Sequence, residues 1–221
     1  MSSDGTIPRL IIQTWKDNEV PEKYRGLLKK LRDNNREFNY MFYTDENIKI
    51  FIETHYPEYL DIFNSFEYPI QRIDFFRYLV IYKFGGFYFD LDMDINSSLE
   101  PLLENDAVFP KEWQQNGDPI LQEQNMHFLL GNYAFGAKAG NLFLKKIIDN
   151  IVSSRIPREK IPNQKDKIVF YTTGPVLVTQ SLIDYLLLTD APTITILEPT
   201  PKFFHARFGN YGSHKMMGSW K

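Results

Sequence analysis

Cysteine is absent from the 221 residues, which excludes disulfides, thiol catalysis and thiolate metal ligands and is compatible with a reducing compartment. Long apolar runs are missing too; nothing approaches the roughly 20 residues that a bilayer-crossing helix needs. The opening Met-Ser-Ser-Asp-Gly-Thr has neither the basic nor the apolar region of a secretory signal. The expectation is a soluble or cytoplasmic protein, with any membrane anchor lying outside this sequence. An excess of positive charge is also lacking. The formal net charge is −3, so no nucleic-acid partner is expected and an anionic substrate would need local cations. Histidine is sparse, with four copies, so a metal would be held mainly by oxygen atoms, which suits Mn²⁺ or Mg²⁺ better than a closed zinc site.

What the chain does have is a carboxylate cluster behind an apolar strand: Phe84-Gly-Gly-Phe-Tyr-Phe-Asp90-Leu-Asp92-Met-Asp94. Side chains two apart on a strand point the same way, so Asp90, Asp92 and Asp94 are expected to begin on one face. Ionised carboxylates are expensive to bury without hydrogen bonds or a counter-cation, and a hard divalent metal is the simplest partner. A short Asp-x-Asp is also common in turns, caps and solvated loops. Its position at the carboxyl end of a buried strand, where open sheets place ligand chemistry, favours a site.

The 43% hydrophobic fraction is ample for a core, and 221 residues suit one domain, alone or as part of a longer protein. Leu10–Trp15 reads as a first strand, Tyr24–Asn34 as an amphipathic helix and Phe38–Tyr43 as a second strand. Thr44-Asp-Glu then starts a helix through Ile52, and residues 57–64 suggest another short one. Residues 69–84 form the strongest helix pattern, with Pro69 at its start and Gly85-Gly86 at its stop. Short strands are expected at 107–110 and 133–137, around a polar loop containing Gln114 to Gly117 that would cover a ligand. Further on come a helix capped by Asn141, an exposed charged connection over 157–166, a helix introduced by Thr172-Thr-Gly-Pro175, a strand over 193–197 and an irregular tail from Pro199. Strands alternating with helices predict an α/β protein.

Asp74 and Arg77 lie three apart on the strong helix, hence on neighbouring positions of one face. Among Ile70, Ile73, Phe76, Leu79 and Val80 they suit an internal ion pair, and equally a guanidinium placed to neutralise phosphate beside a carboxylate that accepts from sugar hydroxyls.

Taken together, Ile7-Pro-Arg-Leu-Ile-Ile-Gln-Thr14-Trp15-Lys, Arg72-Ile-Asp74-Phe-Phe-Arg77-Tyr, Gly85-Gly86-Phe-Tyr88-Phe-Asp90-Leu-Asp92, Thr173-Gly-Pro and Gly218-Ser219-Trp220 resemble the DXD-containing sugar-transferase family. That family includes fungal Golgi mannosyltransferases and bacterial capsular-sugar transferases, with the glucosyltransferase domains of large clostridial toxins as distant relatives. The resemblance implies a GT-A fold with a Rossmann-like mixed central sheet flanked by helices, residues 1–221 forming one catalytic domain. It implies a nucleoside diphosphate sugar as donor, UDP-sugar favoured over GDP-sugar, a divalent metal, usually Mn²⁺, and a hydroxyl of a glycan, glycolipid or protein as acceptor.

By the same resemblance Trp15, with Thr14 beside it, would lie near the nucleobase, Asp74 and Arg77 would contact donor sugar and phosphate, and Tyr88 would support that pocket. Asp90 would meet ribose, sugar or metal-bound water, and Asp92 would ligate the metal. His214 or Ser219 would complete the metal site, and Trp220 would donate to the diphosphate. Asp92-Met-Asp94 spells the motif a second time; the register ending at Asp92 is preferred for its place after Gly-Gly and the aromatics. Transfer would retain anomeric configuration, the departing phosphate helping to deprotonate the incoming hydroxyl. A metal-dependent phosphohydrolase and a non-catalytic sugar-nucleotide or glycan-binding module are the other readings.

Overall fold

A computed structural model describes residues 5–112, 119–123, 125–189, 193–199 and 206–217. The elements in order are β1 (Leu10–Thr14), α1 (Glu22–Asn34), β2 (Asn39–Tyr43), α2 (Asp45–His55), α3 (Leu60–Ser65), α4 (Pro69–Phe84), β3 (Gly86–Phe89), β4 (Met93–Ile95), β5 (Ala107–Glu112), α5 (Pro119–Glu123), β6 (Leu129–Leu130), β7 (Ala134–Ala137), α6 (Leu142–Val152), α7 (Lys165–Thr172), α8 (Pro175–Leu186), β8 (Thr195–Leu197), β9 (Arg207–Phe208) and β10 (Gly212–His214). Among the described residues seven strands form one sheet in the order β2-β1-β3-β7-β5-β6, with β8 paired to β5. β1 runs parallel to β2 and β3, β7 is antiparallel to β3 and β5, and β8 is parallel to β5. The sheet is therefore mixed, as expected.

Strand alternation divides the core. Ile12 and Tyr88 enter the cluster formed with α2, α4, α6 and α8, whereas Ile11, Phe87 and Phe89 enter the one that holds Leu31 of α1 and Met93, Ile95 and Phe208 of the small sheet. The central strands are thus buried on both faces, and the apolar run Phe87-Tyr88-Phe89 needs no polar side.

α4 is apolar nearly all round because it lies inside the molecule, with Phe75 to Ile81 buried. Pro69 opens it, Tyr68 and Gln71 form a reciprocal cap, and Gly85 closes it at φ 69°. Gly86 follows at φ 102°, and a Cβ there would lie 2.5 Å from the Leu10 carbonyl oxygen, so the Gly-Gly pair lets the chain leave the helix and run straight along β1. Asn141 caps α6 by accepting from the Phe143 and Leu144 amides. No described helix is long and apolar enough to cross a membrane.

Three expectations need correction. β3 ends at Phe89, and a turn in which the Met93 amide donates to the Asp90 carbonyl (3.1 Å) breaks the alternation, so the three aspartates do not share one face. The connection over 157–166 contains a 3₁₀ turn at Arg158–Lys160 and runs into α7 at Lys165. The tail is not irregular throughout: β10 pairs antiparallel with β4 and β9, forming a second, three-stranded sheet. The polar loop at 114–117 lies outside the described residues.

Candidate active site

The carboxyl ends of β1 and β3 open into a cleft of ≈ 650 Å³ whose lining includes Thr14, Trp15, Arg77, Tyr88, Asp90 and Asp92. Each side chain arrives for a structural reason. Thr14 ends β1, Tyr88 and Asp90 emerge from β3, and α4, which precedes β3, brings Asp74 and Arg77 along the same edge.

Arg77 is the hub. Its Nη2 lies 3.1 Å from Asp74 Oδ1 and 3.3 Å from Asp90 Oδ1, its Nη1 donates to the Asn132 carbonyl at 2.6 Å, and its guanidinium sits 4.6 Å from the centre of the Tyr88 ring. Both Asp74 and Arg77 are 2% exposed, so their pairing removes two charges from water together. Asp74 is held by the Thr173 hydroxyl (2.8 Å) and Asn132 Nδ2 (3.2 Å), and Asn132 Nδ2 also donates to the Tyr78 hydroxyl (3.0 Å). Burial pushes the Asp74 carboxyl up to about 6, against the pull of Arg77 and these hydrogen bonds. Burial also raises Asp90, only partly countered by Arg77. For Arg77 burial works against its charge, and Asp90, Tyr88 and Asp74 outweigh it, so the guanidinium is firmly cationic.

Tyr88 links the two strands. Its hydroxyl donates to Asp90 Oδ1 at 3.0 Å and lies 3.1 Å from Thr14 Oγ1. Beyond the turn, Asp92 is enclosed by the tail. His214 Nε2 lies 2.8 Å from its Oδ1, and the Met217 amide donates to its Oδ2 at 2.9 Å. The Lys215 amide bonds the Asp92 carbonyl at 2.9 Å, which continues the β4–β10 pairing. The His214 ring stacks on Tyr133 at 4.9 Å. Burial and the His214 bond act in opposite senses on Asp92, and the bond wins, holding the carboxyl low. His214 is raised, its bond to Asp92 overcoming burial.

One ligand atom each from Asp90, Asp92 and His214 lie within 4.8 Å of one another. Asp94 lies apart, in ion pairs with Lys30 (2.6 Å) and Lys215 (2.9 Å). The structure therefore brings together Thr14, Trp15, Asp74, Arg77, Tyr88, Asp90, Asp92 and His214 and leaves Asp94 outside. Ser219 and Trp220 lie outside the described residues. Sequence reasoning missed Asn132, whose segment carries no recognisable pattern, and the part of Tyr133 beneath His214. Thr173 was visible only as part of Thr-Gly-Pro.

The glycosyltransferase PaToxG aligns over 84% of this chain and 72% of its own at 18% identity, with a TM-score of 0.58. The UDP-bound glycosyltransferase domain of the YGT toxin aligns over 87% of this chain and 80% of its own at 9% identity, with a TM-score of 0.52. The architecture is the GT-A fold of glycosyltransferases. Residues 21–109 match the family described as "Glycosyltransferase sugar-binding region containing DXD motif". The inositol phosphoceramide mannosyltransferase 3 of Schizosaccharomyces pombe is 32% identical over 216 residues, covering 95% of this chain and 56% of that protein. These findings show a DXD-containing glycosyltransferase region in this chain, which spans about half the length of that curated relative.

Proposed function

We propose that this chain transfers a hexose, mannose first among candidates, from a nucleoside diphosphate sugar to an acceptor hydroxyl, with a divalent cation, Mn²⁺ or Mg²⁺, held by Asp90, Asp92 and His214. The observation that carries this reading is a charge imbalance. Asp74, Asp90 and Asp92 converge with one guanidinium, Arg77, and one imidazole, His214, so the cluster lacks positive charge. Two carboxylates and a ring nitrogen within 4.8 Å suit a hard divalent ion. Such a cation neutralises the carboxylates when bound and draws charge from a departing diphosphate.

The chain's own groups have separate tasks. Arg77, fixed by buried Asp74 and the Asn132 carbonyl, offers a preorganised positive charge to the diphosphate as the glycosidic bond breaks. Asp90 offers an acceptor for donor hydroxyls, whereas Asp74, engaged by Arg77, Asn132 and Thr173, holds Arg77 in place. Tyr88 holds Asp90 by hydrogen bond and supports Arg77 with its ring. His214 would hold the cation as a neutral imidazole, the protonation state in which its ring nitrogen can act as a ligand. Ser219 and Trp220 would close the donor side. On the family resemblance we read the transfer as retaining, the departing phosphate taking the proton of the incoming hydroxyl. The relative's name points to an inositol phosphoceramide headgroup as a first acceptor to try.

The test compares GDP-mannose with a panel of UDP-hexoses, because the relative suggests mannose and the YGT toxin domain was solved with UDP. Each donor is incubated with Mn²⁺ or with chelator, with and without inositol phosphoceramide. Metal-dependent sugar release and acceptor-dependent transfer are expected. Binding without turnover would favour a binding module, and phosphate release from simple esters a phosphohydrolase.

A further inference from the structure

Among the described residues, three that line the cleft hold a buried polar atom with no hydrogen-bond partner, Arg77 Nε, Trp15 Nε1 and the Tyr24 hydroxyl, and the last two stand side by side. The Trp15 and Tyr24 rings meet edge-on with centroids 5.3 Å apart and planes at 63°. Tyr24 is 1% exposed. A hydroxyl or N–H that has left water without gaining a partner destabilises the fold, and such groups are rare enough that each needs a cause. Folding supplies none here. A phenylalanine at position 24 would fill the same volume from the first turns of α1 without the orphaned oxygen.

The placement suggests the cause. Thr14 meets the Tyr88 hydroxyl, which donates to Asp90, so Trp15 stands one residue beyond the proposed diphosphate site on its β1 side. A donor with its diphosphate at Arg77 and Asp92 would extend its nucleoside toward Trp15 and Tyr24 along the same cleft. We propose that Tyr24 is a donor-recognition residue, its hydroxyl acting with Trp15 Nε1–H as hydrogen-bonding groups for the polar edge of the nucleoside. This inference rests on the nucleotide-sugar reading above. Both atoms are enclosed where Trp15 packs on Tyr24, so recognition goes with a tilt of the half-buried Trp15 ring that opens them to the cleft.

The experiment measures Tyr24→Phe against the unsubstituted chain in two ways: melting temperature without ligand, and calorimetric affinity for UDP, GDP and inorganic pyrophosphate, all with Mn²⁺. The expected result is an unchanged or raised melting temperature and an affinity for at least one nucleotide reduced about 3- to 10-fold, the scale of one hydrogen bond. Pyrophosphate affinity should stay the same. Equal nucleotide affinity, an equal loss for pyrophosphate, or a lowered melting temperature would each overturn the role of Tyr24. If the unsubstituted chain binds pyrophosphate but neither nucleotide, or binds none of the three, the nucleotide-sugar reading falls and this inference with it. Nucleotide binding unaffected by Tyr24→Phe removes this inference alone.

Discussion

Asp92 and Asp94 are two residues apart and chemically identical, yet their surroundings assign them different work. Asp92 faces His214 in the carboxylate cluster, whereas Asp94 is taken up by Lys30 and Lys215. Under the proposed mechanism Asp92→Asn lowers Mn²⁺-supported turnover by about 100-fold or more, the scale of losing one transition-state electrostatic contact. Asp94→Asn removes ion pairs whose lysines are 45% and 39% exposed, so it lowers stability by at most ~1 kcal/mol and leaves turnover near normal. Steady-state kinetics and chemical denaturation on both variants check this; an inactive, well-folded Asp94→Asn would reassign the motif. Asp74 and Arg77 were legible as a pair from their spacing alone, because three residues on a helix fixes proximity. What their spacing does not encode is the third side of the network, Asn132, 58 residues from Asp74 in sequence.

Among elements, those with strong local signals were legible. β1, α1, β2, α2, α4 and β3 carry apolar periodicity and clear stops, and the order of strands and helices was enough for an α/β sheet. α7 was not, since Lys165-Asp-Lys follows a charged connection and only its last residues are apolar. β10 was illegible for a different reason. Gly-Ser-His has no strand propensity of its own, and its pairing with β4 depends on residues over a hundred positions away. The junction between α4 and β3 gives the sharpest element-level prediction. Gly86→Ala forces a side chain to φ 102° and against the Leu10 carbonyl, which should cost roughly 2 kcal/mol or more. A fall in melting temperature of about 4–8 °C is expected for a chain this long, read by calorimetry. An unshifted melting temperature would mean that the junction relaxes freely.

For the molecule as a whole, acid should act through carboxylates tied down in the fold, and Asp184 is a measurable case away from the cleft. It accepts from Arg155 Nε (2.9 Å) and Nη2 (3.1 Å) and from Asn150 Nδ2 (3.0 Å). Burial alone would raise this carboxyl, but these bonds outweigh it and hold it below its ordinary 3.8. A carboxyl lowered on folding adds stability that is fully present above 3.8 and is lost as pH falls through the lower folded value. Asp184→Asn should therefore be less stable than the parent at pH 7, with the gap closing below about pH 4. Urea denaturation at both pH values measures the gap, and a constant difference would show that Asp184 contributes by packing rather than by charge.

The pairing of β10 with β4 also sets an order of events during synthesis. Asp90 and Asp92 leave the ribosome before His214, which follows Asp92 by 122 positions. At about 5–20 residues per second, that interval is roughly ten seconds. Throughout it a nascent chain has the first two carboxylates but neither the imidazole nor the strand that encloses Asp92. The proposed cation site is thus completed only after most of the central sheet has been made.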